Sequence, residues 1–283
     1  MTNNNSQQIK ARQFHQLHHS GKMLVFPNVW DSLGAVLLEN LHYPAIATAS
    51  ASIAFTNGYN DGEHLPFNDF LTQLTKIVSN VNIPVTADIE SGYASNEKQL
   101  EENIKRIIST GIVGINIEDT NKERGSLVSI ENQCNNIRII KNVSSELGIS
   151  LFINARTDVY IHGNEFETAE AKLEETLKRG LAYKNAGADC FYPIVMRQEQ
   201  DIKKTVEQLQ MPINILTIPG IPELNTLNEM GVARVSLGPS FLKIAIKAMK
   251  DLAVKLNNLE GLSEITGNEI TSDYLKNLVN KNY

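Results

Sequence analysis

Asp88 and Glu90 stand two residues apart at the end of a mostly apolar run, Pro84-Val85-Thr86-Ala87-Asp88-Ile89-Glu90. The same spacing recurs at Asn116 and Glu118, and again at Asn154 and Arg156. In extended chain, residues two apart point the same way. Like charges on one face repel unless a cation sits between them. Oxygen-only ligands suit a hard ion such as Mg²⁺, which keeps several of its waters. Asp88, Glu90 and Glu118 are therefore candidate metal ligands, with one carboxylate binding directly and the others holding waters. Arg156 has a planar fork that suits a substrate carboxylate. A structural ion pair with Asp158 or Glu118 is its other reading. A cation beside a carboxylate clamp describes a site for a 2-oxo acid. As a Lewis acid the ion would stabilise the enolate formed when a bond beta to the keto carbon breaks.

Such residues need a frame that brings strand ends together. Strands are expected over 23–28, 44–50, 85–89, 113–118, 150–156, 189–194, 212–216 and 232–237. Helices are expected over 31–41, 66–80, 95–110, 130–147, 167–186, 198–209, 222–230 and 239–256, with one more over 268–279. Phe67, Phe70, Leu71, Leu74, Ile77 and Val78 recur at helical spacing, and Gly111, Gly148 and Gly187 supply stop signals. Eight βα units with mostly uninterrupted apolar strands point to parallel pairing. The fold class is α/β, and a (β/α)₈ barrel with an extra C-terminal helix is the simplest closure. A doubly wound open sheet is disfavoured, because no Gly-x-Gly-x-x-Gly follows the first strand.

The chain has 283 residues and no Pro- or Gly-rich linker, so 1–283 reads as a single barrel domain. Residues 1–8, rich in Asn and Gln, should fray, and His15, His18 and His19 should be solvated on a polar helix. A net charge of −6 disfavours nucleic acid and anionic membranes as partners. No apolar run is long enough to span a membrane, and the N-terminal residues lack a signal-type apolar core. Cys134 and Cys190 form no disulfide framework, which fits a reducing, cytoplasmic setting.

In a barrel the active site lies at the C-terminal ends of the strands. That rim would collect Asn28, Asp31, Ser50, Asn57, Asp61, Asp88, Glu90, Glu118, Asp119, Arg156, Asp158 and Asn214. Most would be costly to bury unpaired, so their convergence favours a site. Cys134, in the expected fourth helix, reads as core.

Five pieces carry a resemblance, in family order through most of the barrel: Pro27-Asn28-Val29-Trp30-Asp31, Gly58-Tyr59-Asn60-Asp61-Gly62-Glu63, Asp88-Ile89-Glu90-Ser91-Gly92-Tyr93, Gly114-Ile115-Asn116-Ile117-Glu118-Asp119 and Asn154-Ala155-Arg156-Thr157. At these residues the sequence resembles the isocitrate lyase / phosphoenolpyruvate mutase superfamily. The resemblance implies a (β/α)₈ barrel, a Mg²⁺ or Mn²⁺ cofactor and 2-oxo acid or enolate chemistry. It implies a homotetramer in which the C-terminal helices, about 240–283, are exchanged between neighbours. It makes Asp88 the main metal ligand, with Glu90 and Glu118 behind it. Asp61 resembles the loop carboxylate near the reacting group, and Arg156 the carboxylate-binding arginine. Ser50 and Ala51 resemble residues whose backbone amides hold substrate oxygens.

One departure matters. The lyases of that family carry a Lys-Lys/Arg-Cys-Gly-His run after strand four, and its Cys protonates the released enolate. Here the loop reads Thr120-Asn121-Lys122-Glu123-Arg124-Gly125-Ser126, with neither Cys nor His. The match is therefore with phosphonomutase-like members, and isocitrate-type cleavage is not expected. Decarboxylation of an oxaloacetate-like acid is the least demanding reaction, since water can protonate the enolate. P–C bond chemistry is next, with Asp61 and Lys122 or Arg124 to assist. A non-catalytic 2-oxo acid binding protein on the same scaffold is an alternative. A sugar-phosphate barrel is another, weakened by Pro219 and Pro239, which lack amide hydrogens where phosphate would sit.

Overall fold

The structure is a computed structural model and describes residues 2–122 and 124–280. After helix α1 (Thr2–His18) come β1 (Leu24–Phe26), β2 (Asn28–Val29), α2 (Ser32–Asn40), β3 (Ile46–Thr48), α3 (Ser50–Thr56), α4 (Phe67–Ser79), β4 (Val85–Asp88), α5 (Glu97–Ser109) and β5 (Gly114–Glu118). A small antiparallel pair, β6 (Thr120–Asn121) and β7 (Ser126–Leu127), precedes α6 (Ile130–Glu146). Then follow β8 (Phe152–Thr157), α7 (Ala169–Ala186), β9 (Cys190–Pro193), α8 (Glu199–Leu209), β10 (Asn214–Leu216), α9 (Leu224–Glu229), β11 (Arg234–Ser236), α10 (Ser240–Asn257), α11 (Leu262–Thr266) and α12 (Ser272–Val279).

Parallel pairing runs β2-β3-β4-β5-β8-β9 and β1-β11-β10, and a bridge between Phe191 and Ile213 joins β9 to β10. β1 and β2 are one barrel strand interrupted at Pro27, which has no N–H for a ladder. The first half pairs with β11 and the second with β3, so the ring closes. This is the expected (β/α)₈ barrel, with further helices beyond its eighth unit. Among the described residues no helix is long and apolar enough to cross a membrane.

The N-terminal end of the barrel is shut by α1. Phe14 is fully buried between Phe26 and Phe152, and His18 stacks on Phe152 at 4.1 Å between ring centroids. Gly114 makes room for this plug, since a Cβ there would come within 2.9 Å of the Phe14 ring. His18 is only 5% exposed, which corrects the expectation that all three N-terminal histidines are solvated. The helix already runs from Thr2, and the Gln7 amide donates to the carbonyls of Ile108 and Ile112 at 2.9 and 2.8 Å, where fraying was expected.

Above the plug lies a polar layer. The Asn154 amide donates to Asn116 Oδ1 at 2.8 Å, and Arg234 Nη2 donates to the same oxygen at 3.3 Å. Asn214 exchanges hydrogen bonds with the Ser236 hydroxyl at 3.0 and 3.2 Å. Arg234 is fully buried, lies over the Phe26 ring at 4.9 Å and has no ion pair among the described residues. This layer is the floor on which the strand-end residues stand.

Candidate active site

β4 ends on Asp88, and the chain then turns sharply. Glu90, Gly92 and Tyr93 all have positive φ, at 53°, 99° and 54°. Left-handed backbone at two non-glycine residues is strained and must be held by its surroundings. Glu63 holds it: one carboxylate oxygen accepts from the Ser91 amide at 2.9 Å, the Ser91 hydroxyl at 2.6 Å and the Tyr93 amide at 2.9 Å. The turn aims Glu90 back across the mouth beside Glu118, the last residue of β5.

A chain of opposite charges follows. The Lys122 ammonium bridges Glu90 Oε2, at 3.0 Å, and Glu118 Oε1. Glu118 Oε2 is ion-paired with Arg156 Nη1 at 2.8 Å. Arg156 then grips Asp158 through Nε at 2.6 Å and Nη2 at 3.0 Å, and the Thr120 hydroxyl donates to Asp158 at 2.6 Å. Both anionic partners foreseen for Arg156 are thus present. Three of its five N–H donors are committed and two remain.

Asp88 stands apart from this chain. It has no ion pair among the described residues; Oδ2 accepts from the Ser50 hydroxyl at 3.2 Å and Oδ1 from the Glu90 amide at 3.4 Å. Burial raises its pKa; the Arg156 charge opposes the rise and the Asp61 carboxylate adds to it. Burial also raises Glu90 and Glu118 to about 7 each, against the pull of Lys122 on Glu90 and of Arg156 on Glu118.

The remaining expected residues divide. Ser50 and Ala51 open α3, a helix too short for periodicity to reveal, and the first amides of a helix have no intrahelical partner. Asp61 lies exposed on the α3–α4 connection, with its charge felt at Asp88 and Glu90. Asn214 does not reach the mouth; it is fully buried in the floor on Ser236. Asp31 caps α2 by accepting from the Gly34 amide at 2.7 Å. Asp119 is a fastener, taking hydrogen bonds from Thr157, the Asp158 amide, Arg179 and Tyr183. Lys122 and Glu63 were visible as residue types; Glu118 lies four positions from Lys122, but Glu90 lies 32 away and the partners of Glu63 lie 28 to 30 away, which left those contacts without a signal.

These residues test the expected ion. Among the described residues no three His, Cys, Asp or Glu side chains gather closely enough to chelate a metal together. Asp88 nonetheless offers a carboxylate with no cationic partner, and Mg²⁺ is commonly held by one or two carboxylates plus water. The donor set fits an ion anchored at Asp88, with Glu90 and Glu118 acting through water.

A family model described as phosphoenolpyruvate phosphomutase matches residues 14–257. The chain belongs to this family. An uncharacterised protein of Mycobacterium tuberculosis is 30% identical over 225 residues, covering 80% of this chain and 81% of its own. A provisionally named phosphonomutase of Burkholderia cenocepacia is 34% identical and superposes with a TM-score of 0.81 over 86% of this chain and 98% of its own. A provisionally named lyase/mutase of the same organism is 25% identical, with a TM-score of 0.89 over 98% of both chains. Relatives with named activities are more distant: 2,3-dimethylmalate lyase of Eubacterium barkeri, 25% identical over 95% of this chain and 93% of its own, and oxaloacetate decarboxylase of Pseudomonas entomophila, 24% identical over 92% and 90%. A phosphonopyruvate hydrolase bound to oxalate and Mg²⁺ shares the fold at a TM-score of 0.82 and 20% identity, over 95% of this chain and 94% of its own. The relatives with named activities are thus a lyase and a decarboxylase, beside the provisionally named phosphonomutase and lyase/mutase. Within that family this chain carries the small β6–β7 pair after its fourth barrel strand, and its Cys134 is buried in α6, away from the role of an acid on that loop.

Proposed function

We propose that the protein is a divalent-metal-dependent enzyme that cleaves the bond beta to the keto carbon of a small 2-oxo acid, with oxaloacetate-type decarboxylation as its reaction. The observation that carries this reading is Asp88: a carboxylate at the barrel mouth, among the described residues without a cationic partner, beside an arginine with two N–H donors that none of those residues uses. An ion held there supplies Lewis-acid stabilisation of the negative charge that develops on the keto oxygen. Ser50 orients Asp88 through its hydroxyl. The free donors of Arg156 receive the substrate carboxylate, and its bonds to Asp158 and Glu118 fix the plane of the fork. The amides of Ser50 and Ala51 face substrate oxygens, and Asp61 borders the reacting group. Water returns the proton, since the loop that carries the acid in the lyases has no cysteine here.

The named relatives support the substrate class, and the Mg²⁺ and oxalate of the phosphonopyruvate hydrolase support both the ion and the carboxylate clamp. A P–C bond substrate is the second reading, favoured by Lys122, whose ammonium sits at the mouth where a phosphonate would need a counter-charge. The deciding experiment offers oxaloacetate, phosphonopyruvate, isocitrate and 2-methylisocitrate with Mg²⁺ and after chelation. Mg²⁺-dependent pyruvate release from oxaloacetate at about 1 s⁻¹ or more supports the first reading. Phosphate release from phosphonopyruvate supports the second. Turnover of neither, or efficient isocitrate cleavage, removes both.

We also propose a homo-oligomer, a tetramer by family expectation, built through the C-terminal helices. α10 leaves Ile244, Ile246, Met249 and Val254 more than half exposed, an apolar face costly to leave in water. Light scattering of the full chain and of a chain ending before α11 tests it, and a monomeric full chain refutes it.

A further inference from the structure

The three acidic groups of the mouth are not equally available. Glu90 and Glu118 are almost entirely buried, at 3% and 2% side-chain exposure, and both are ion-paired with one ammonium. That ammonium belongs to Lys122, whose side chain keeps 26% exposure and hangs from the solvent-facing side of the mouth. Beyond the Thr120 hydroxyl on Asp158, the segment bearing it is lightly fastened. β6 has β7 as its sole ladder partner among the described residues, and the turn is closed by the Gly125 amide on the Asn121 carbonyl at 2.8 Å and the Val128 amide on the Asp119 carbonyl at 2.9 Å. Arg156, the other cation on Glu118, is instead locked by a two-pronged bond to Asp158. Of the two cations, Lys122 is the one free to leave.

We propose that Lys122 is a tethered cation that competes with the divalent ion for Glu90 and Glu118. This rests on the reading of Asp88 as the ion's anchor. The two carboxylates can either hold the ammonium or accept hydrogen bonds from waters around an ion at Asp88. While the ammonium is in place, it also repels a divalent charge arriving beside it. By linkage, the factor by which Lys122 weakens ion binding equals the factor by which the ion weakens Lys122 pairing. Ion occupancy is therefore coupled to the β6–β7 pair: a loaded site releases Lys122, and an empty one recaptures it. Lys122 is a positioning residue on this account, setting the ion's affinity and the freedom of its own segment.

Mn²⁺ titration by calorimetry and electron paramagnetic resonance tests the coupling on the wild type, Lys122→Met and Lys122→Arg. The Met variant should bind Mn²⁺ about tenfold more tightly, and the Arg variant, which keeps the charge, should bind as the wild type does. Amide hydrogen exchange gives the reciprocal arm. Adding Mg²⁺ to the wild type should speed exchange at Gly125 and Val128. In Lys122→Met exchange there should already be fast and insensitive to Mg²⁺. Melting curves check that the variants are folded, and Lys122→Gln serves as a second neutral variant. If the wild type binds Mn²⁺ but the neutral variants bind it equally or more weakly, the competition is refuted and the Asp88 reading stands. If none of the four proteins binds Mn²⁺, both readings fall.

Discussion

Asp88 and Asp119 stand at the ends of neighbouring strands, and burial raises the pKa of both, yet they do opposite things. Asp119 is fully buried and takes hydrogen bonds from the Tyr183 hydroxyl at 2.6 Å, the Thr157 hydroxyl at 2.7 Å, the Asp158 amide at 2.8 Å and the Arg179 guanidinium at 3.0 Å. Both oxygens are answered from inside the protein, and the residue ties α7 to the ends of β5 and β8. Asp88 has a hydroxyl at 3.2 Å, an amide at 3.4 Å and, among the described residues, no cation. A carboxylate that the fold has satisfied is a fastener; one left short of positive charge is prepared to take it from outside. The shortfall, more than the charge, marks the site.

The comparison breaks most sharply through exchange of roles. Asp88→Asn should lower Mg²⁺-dependent turnover by at least about 10³-fold, roughly 4 kcal/mol of barrier. It should leave the melting temperature unchanged or higher, because the amide needs no counter-charge. A variant that keeps its activity but melts early would make Asp88 another fastener. Asp119→Ala should do the reverse. Arg179 keeps Glu175 but loses this second carboxylate, and Tyr183, Thr157 and the Asp158 amide lose their acceptor, which together should cost about 3–5 kcal/mol, a fall on the order of 10 °C in melting temperature. Ion affinity at low temperature should hardly change. Calorimetric melting and Mg²⁺ titration on the same two proteins read both halves of the exchange.

A shortfall far from the mouth sharpens the rule. His18 donates through Nδ1 to the Phe14 carbonyl at 2.9 Å, and its buried Nε2 has no hydrogen-bond partner among the described residues. Burial, reinforced by the Arg234 charge, lowers its pKa to about 3. The folded protein therefore holds His18 neutral where the unfolded chain, with an ordinary value near 6.5, takes up a proton. Stability from this group is complete above the unfolded value and is lost as pH falls toward the folded one. Between pH 7 and pH 5 the loss should be about 2 kcal/mol. In His18→Leu, urea melts across that range should show a flatter dependence. An unchanged slope would mean that the plug admits the proton. An unsatisfied group without access to solutes thus becomes a pH liability and not a site.

The smallest effect concerns Arg156, which shares features of both aspartates. Arg156→Lys should weaken oxalate binding by about 1–2 kcal/mol through loss of one charge-assisted bond. Mg²⁺ affinity should stay nearly intact. The melting temperature should also fall by a few degrees, because Asp158 loses its two-pronged partner. If only the melting temperature moves, Arg156 belongs with Arg179 as a fastener, and the carboxylate clamp is wrong.

Much of this was legible in the sequence. Uninterrupted apolar strands alternating with amphipathic helices gave the barrel, and carboxylates two apart gave the rim. Pairing was legible for Arg156 with Asp158 and Glu118, and not for Glu90 with Lys122. That Glu90 reaches Lys122 depends on a backbone turn with positive φ at Glu90, and no residue type announces that turn. α3 spans seven residues and β6 and β7 two each, below the length at which periodicity speaks. His18 sits on a helix of polar composition, and only the packing of Phe14 and Phe152 around it shows that one side of that helix is interior.

The break at Pro27 bears on how the molecule assembles. β1 pairs with β11, so residues 24–26 find partners at 234–236. Where proline withholds a donor, Asn28 bridges the join: its Oδ1 accepts from the Leu237 and Gly238 amides at 2.8 and 3.0 Å, across sequence separations of 209 and 210. Six parallel strands can zip in order as the chain emerges, each beside its predecessor. The last seam waits for almost the entire polypeptide and carries the largest loop-closure entropy in the fold. Until then β2 is the bare edge of an open sheet, without a partner on its outer side. Ring closure is thus a late event, and a ribosome-bound chain stalled before residue 234 would expose that edge to its neighbours.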